Sequence, residues 1–172
     1  SGIVVSVEEK DVLAYKQHGV LSAMYFQQEV EQKAFAVGGG KFAAPAQRLI
    51  DFCDNKMSPT LPKCSYLPGI NSAGLKDVLP SFINERLRIG FKEFGKKMRG
   101  YYTNDAVIVA TESRTSSPVR IPRDPETLRH PQIENLYPCG EGAGYAGGIV
   151  SAAIDGERLA LSIAERQLAS QF

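Results

Sequence analysis

The chain has 172 residues, 43% of them hydrophobic and 23% charged, with a net charge of +1. That length can bury a core and build one domain, or a domain and a part of another. The near-neutral balance argues against nucleic acid or an anionic membrane surface as partner. No apolar run approaches the roughly 18 residues of a membrane span, and Cys53, Cys64 and Cys139 give an odd count without C-x-x-C spacing. Neither a disulfide framework nor a zinc site is suggested, and a reduced, cytoplasmic setting is expected.

In chain order, Ile3-Val4-Val5-Ser6-Val7 is β-branched and reads as a short strand. Glu8 to Gly19 is polar and irregular. Leu21, Met24, Val30, Ala34 and Val37 follow helical spacing, and Gly38-Gly39-Gly40 ends that helix. Pro45 suits the first turn of a second helix running to about Cys53. Asn55 to Gly74, with Pro59, Pro62 and Pro68, reads as a loop.

Helical spacing returns from Leu75 through Val78, Leu79, Phe82, Ile83, Leu87, Phe91, Phe94 and Met98. The basic residues Arg86, Arg88, Lys92, Lys96, Lys97 and Arg99 form its polar face, which reads as solvated surface. Ala106 to Ala110 is a buried strand, followed by a polar loop, Glu112 to Ile121. Leu136 to Cys139 reads as another short strand, and a final helix runs from about Gly147 to Leu168. His18 and His130 lack any ligand spacing, so no metal site is expected.

The most informative stretch is Gly140-Glu141-Gly142-Ala143-Gly144-Tyr145-Ala146-Gly147-Gly148. Glycines at the start of a helix let backbone approach a ligand closely, and the free N–H groups there carry partial positive charge. Glu141 can accept hydrogen bonds from sugar-like hydroxyls, or it can serve only as a capping carboxylate. Gly142 to Gly147 also satisfies G-x-G-x-x-G, but the 25 residues after Gly147 read as one helix and leave no room for the βαβ unit that fingerprint opens. A second candidate is the loop with Arg114, Thr115, Ser116, Ser117 and Arg120, directly after a strand, where α/β folds place ligand contacts. A surface loop held by hydroxyl turns is the simpler alternative.

The segment Tyr137 to Ala153, centred on this turn, resembles the C-terminal flavin motif of a family of uncharacterised bacterial FAD-dependent dehydrogenases. These belong to the wider group of glutathione-reductase-like flavoproteins. Glu112 to Ile121, Gly38-Gly39-Gly40 with Ala44-Pro45-Ala46-Gln47, and Phe26 to Glu31 come in that family's order too. The resemblance implies that Glu141 binds a ribityl hydroxyl of FAD and that Gly140, Gly142, Gly144, Gly147 and Gly148 allow close flavin approach. It places Arg114, Thr115, Ser116, Ser117 and Arg120 near the flavin ring or a small-molecule substrate. NAD(P)H is compatible as electron donor, and no general acid or base can be named.

Family members begin with a dinucleotide fold that holds the ADP half of FAD, and no early strand here leads into G-x-G-x-x-G. With its Ser1-Gly2 start, the chain is expected to be the C-terminal portion of a longer protein. Residues 1–103 would end an inserted, mostly helical substrate or cap domain. Residues 104–172 would close the FAD-binding domain. The expected fold class is α+β, helix-rich, as a truncated part of an FAD/NAD(P)-binding α/β fold. The missing N-terminal portion would be the main partner, and the isolated chain would be inactive and bind FAD weakly. The rival reading is a non-catalytic module whose glycine turn binds phosphate.

Overall fold

A computed structural model describes residues 2–169. The fold is α+β, helix-rich with a three-stranded sheet among the described residues. These residues divide into two compact units, 2–15 with 25–113, and 16–24 with 114–169.

In the first unit, β1 (Ala44–Arg48) is the central strand, parallel to β2 (Ile70–Ser72) and antiparallel to β3 (Val107–Val109). Ala44 pairs with Ile70, and Ala46 with Val109. The expectation of a helix beginning at Pro45 is therefore corrected. Proline disfavours helical backbone in the residue before it, so Ala44 is extended, while the Pro45 carbonyl still accepts from the Ala110 N–H at 3.1 Å. Helix α2 (Leu49–Cys53) starts only where the strand ends.

The centre of β1 is wholly buried: Pro45 and Ala46 pack against the core, and Gln47 is satisfied at both ends of its amide. Its Nε2 donates to the Lys56 carbonyl and its Oε1 accepts from the Leu75 N–H, both at 2.7 Å. A buried amide without these partners would cost several times what the bonds contribute.

A 3-10 helix (Glu9–Leu21), interrupted at Gly19, precedes α1 (Ser22–Val37). Phe26, Val30 and Ala34 of α1 are buried at four-residue spacing. Helix α3 (Ser81–Lys97) buries Leu87 and Phe91, and Phe91 meets Phe52 edge-on at 6.0 Å. The helical pattern read from Leu75 is split: Leu75–Asp77 forms a short 3-10 turn, and α3 begins after Pro80. On its basic face, Arg86 donates to the Ser6 carbonyl and Arg88 bonds Asn55 while lying over the Phe52 ring. Those two cations serve the fold as well as solvation.

Two expected strands are absent. Ile3 to Val7 makes no ladder, because β-branched residues favour a strand only where a neighbour supplies the other half of the hydrogen bonds. Leu136 to Cys139 is irregular: the Pro138 carbonyl is taken by the Arg123 side chain, and Leu136 is used in a turn by His130. The second unit contains α4 (Ile149–Ala169), with Leu159 buried. Val150, Ile154, Leu161 and Leu168 of α4 are exposed and fall within about 40° of one another around the helix. No helix among the described residues is long and apolar enough to cross a membrane.

The turn after α1 admits only glycine at one place. A Cβ on Gly38 would collide with the Ala43 carbonyl oxygen, which is backbone and cannot swing away. Gly38→Ala is expected to cost about 1–3 kcal/mol, the range for overpacking a fixed site; a urea denaturation midpoint equal to that of the unaltered protein would contradict this packing.

Candidate functional site

The glycine turn and part of the polar loop come together within the second unit. The Ile121 N–H donates to the Ala143 carbonyl at 3.1 Å, and Ser117 Oγ shares its one proton between the Val119 carbonyl at 2.7 Å and the Gly142 carbonyl at 3.2 Å. Tyr145 Oη donates to the Ile121 carbonyl at 2.9 Å. Sequence order separates these groups, and three hydrogen bonds lace them side by side.

The turn closes on itself through Gly144 N–H to the Glu141 carbonyl and Tyr145 N–H to the Gly140 carbonyl, each 2.9 Å. Gly140 has φ +67° and Gly144 φ +83°, backbone that side-chain-bearing residues rarely adopt. At Gly144 space is closed as well: a Cβ would come within 2.9 Å of the Val119 carbonyl oxygen and 3.1 Å of Arg120 Cα. Those two glycines are explained by the fold.

Gly142 and Gly147 are not. Neither has positive φ, and a Cβ built on either would meet no atom within 4 Å. Glycine at such positions leaves room for something outside the turn to approach the backbone. The carboxylate of Glu141, half-buried beside Gly142, takes no hydrogen bond or ion pair among the described residues, so the fold does not use it. Gly148 opens α4, and its N–H and carbonyl are both engaged by Ser151 Oγ, at 3.1 and 2.9 Å.

Of the loop residues singled out in the sequence, Ser117 and Arg120 reach the turn. The Arg120 guanidinium carbon lies 4.3 Å from the Tyr145 ring centroid, with no carboxylate pairing it among the described residues. Arg114, Thr115 and Ser116 are exposed, and neither Thr115 nor Ser116 bonds to the turn.

Three residues of this site have no role that sequence spacing reveals: Arg123, Tyr145 and Asp155. Arg123 grips Asp155 through two parallel 3.0 Å hydrogen bonds, with side chains only 7% and 11% exposed. The same arginine donates to the Pro138 carbonyl and lies 3.7 Å from the Tyr145 centroid. Asp155 also accepts from the Gly140 N–H at 2.9 Å. The hydrogen bonds from Arg123 hold the Asp155 carboxyl below the usual carboxylate range against the upward push of burial, and the Gly140 N–H, the Arg123 charge and the Cys139 thiol add to the lowering. The available signal was faint: one carboxylate in the otherwise apolar start of α4, followed by Gly156.

A carboxylate without a partner among the described residues, beside glycines that open outward and with an arginine that meets no carboxylate among them at the turn's edge, suits a ligand bearing hydroxyls and negative charge. The sequence matches the family described as FAD-dependent protein, C-terminal domain-like, over residues 1–115. The chain belongs to that family. It is also 41% identical over 168 residues to an uncharacterized protein of Clostridium beijerinckii, a match covering 96% of this chain and 31% of the relative. The chain thus spans about a third of the length of the relative it matches. The glycine turn lies beyond the family match, but a match covering 96% of the chain leaves too few residues outside it to exclude the turn.

Two outcomes separate the glycines. Gly144→Ala should destabilise the protein by about 1–3 kcal/mol, from backbone strain together with the clash at Val119, whereas Gly142→Ala should leave thermal unfolding unchanged. Equal melting curves for the two variants would show that the turn is not built this way. The depressed Asp155 carboxyl has a second consequence. Its stabilising effect is complete above the unfolded carboxylate pKa and is lost as pH falls through the lower folded value. Asp155→Asn should therefore flatten the acid limb of a stability–pH profile, and an unaltered limb would argue against the pairing.

Proposed function

We propose that this chain is the C-terminal part of a FAD-dependent oxidoreductase, a dehydrogenase of the glutathione-reductase-like superfamily, and that the glycine turn is its flavin contact. The observation that carries this reading is the pairing of a carboxylate that has no partner among the described residues, Glu141, with glycines that neither φ nor space among those residues requires, Gly142 and Gly147. The family assignment and the greater length of the relative support it.

FAD, when bound, would supply the hydride chemistry. The chain's own residues would orient it. Glu141 would accept a hydrogen bond from a ribityl hydroxyl, and Gly140, Gly142, Gly144, Gly147 and Gly148 would let the turn's backbone lie close to the cofactor. Arg120, held by Tyr145 and without a carboxylate partner among the described residues, would face an anionic substrate or balance negative charge on the reduced flavin. Ser117 fixes the loop to the turn; Arg114, Thr115 and Ser116 would line the substrate side. The substrate would be a small molecule, and NADH or NADPH is compatible with the role of electron donor.

The N-terminal portion of the same protein would hold the ADP half of the cofactor. The exposed apolar stripe of α4, from Val150 to Leu168, supports such a partner, since a soluble helix rarely leaves four large aliphatic side chains aligned in water.

The visible absorption spectrum of the purified full-length protein, beside that of this chain alone, tests the reading. Flavin bands in the first and none in the second are expected. Glu141→Ala in the full-length protein should weaken FAD binding by about 1–3 kcal/mol, the cost of losing a hydrogen bond to a charged group. A full-length protein that stays colourless and cannot be reconstituted with FAD would overturn the proposal.

A further inference from the structure

A ligand can use Glu141 well only if the turn that carries it is held still, and among the described residues nothing bonds its own side chain. The turn is instead secured one residue earlier. The Gly140 N–H donates to Asp155 Oδ2 at 2.9 Å, and the same oxygen takes a hydrogen bond from Arg123. Arg123 in turn holds the Pro138 carbonyl and fills its second bond with Asp155 Oδ1. Peptide groups on both sides of Cys139 are thus tied to one ion pair.

Each geometric element is specific to the residue type. A guanidinium presents parallel N–H groups that match a carboxylate, and it retains another donor for Pro138; an ammonium has no such fork. Asp155 stands on α4 and reaches back to the segment that leads into the helix. Gly140 adopts φ +67°, so the peptide that Asp155 holds is one whose conformation most residues would resist. Apolar side chains of similar volume often match a buried pair of this kind in stability, so the orientation of the backbone groups it bonds is what they could not supply.

We propose that Asp155 and Arg123 are positioning residues for flavin binding, acting through the Gly140 peptide to present the Glu141 carboxylate to the cofactor. This rests on the flavin reading of Glu141. Neither residue touches the cofactor; their effect passes through Glu141 and should vanish when Glu141 cannot use it.

A double-mutant cycle in the full-length protein tests the dependence. FAD dissociation constants are measured for Glu141→Gln, Asp155→Asn and the double variant, with the visible spectrum of the bound flavin recorded in each. Each single variant should weaken FAD about tenfold, and the double variant should be no weaker than the worse single, because the two losses are the same loss. The bound-flavin spectrum of Asp155→Asn should match that of Glu141→Gln. Losses that multiply to about a hundredfold would show Asp155 acting independently of Glu141, and so would overturn the proposal. It would equally fail if Asp155→Asn bound FAD normally while Glu141→Gln did not. If Glu141→Gln itself bound FAD normally, the flavin reading of Glu141 would fall first. Arg123→Lys keeps the charge and loses the fork; carried through the same cycle it gives the same three outcomes should Asp155→Asn not fold.

Discussion

The second unit depends on an ion pair that is expensive to bury. Moving Arg123 and Asp155 out of water costs several kcal/mol per ion, and their mutual attraction alone seldom recovers it. Here the remaining bonding capacity is filled by backbone: the Gly140 N–H on the carboxylate and the Pro138 carbonyl on the guanidinium. The Tyr145 ring lies against the same guanidinium and shields it. Loop, turn and helix have little apolar packing between them, with Pro138, Ala143, Leu128 and Leu159 among the few buried groups. Directional bonds therefore fix what a larger hydrophobic core would fix elsewhere.

The first unit solves its problem with a neutral group. Gln47 sits in the middle of the central strand and bonds the backbone before β2 and the backbone at the start of the 3-10 turn after it. Around it, Phe52, Leu75 and Val78 are almost fully buried, and Ser58 links the Arg48 N–H to the Asp51 carboxylate. An amide carries no ionic desolvation cost, so apolar packing can close around it.

How much of this was legible in the sequence follows from the range of the interactions. The helices α1, α3 and α4 were readable because their apolar spacing is local and repeats several times. The strand β1 was not: Ala44 to Arg48 is buried on both faces, so it shows no alternation, and its partners lie about 25 and 60 residues away. Ile3 to Val7 failed in the opposite sense, since it has strand composition without a partner. At the site, the glycine turn was visible from composition and its likeness to a known motif. That Ser117 and Arg120 would reach it, and that Arg123 would meet Asp155 across 32 residues, depended on tertiary contacts that leave no local mark. The distinction between glycines required by φ and glycines left open belongs to the folded backbone and leaves no trace in composition.

The brevity of β2 and β3 also has a bearing on how copies of this chain can meet. Both outer strands of the sheet are three residues long. Such an edge offers a passing chain only a few backbone groups, too few to template a growing intermolecular ladder. Self-association through sheet extension is thereby disfavoured, and crowding in a cell would bring molecules together through side-chain surfaces, which can separate again, sooner than through cross-β growth, which seldom does.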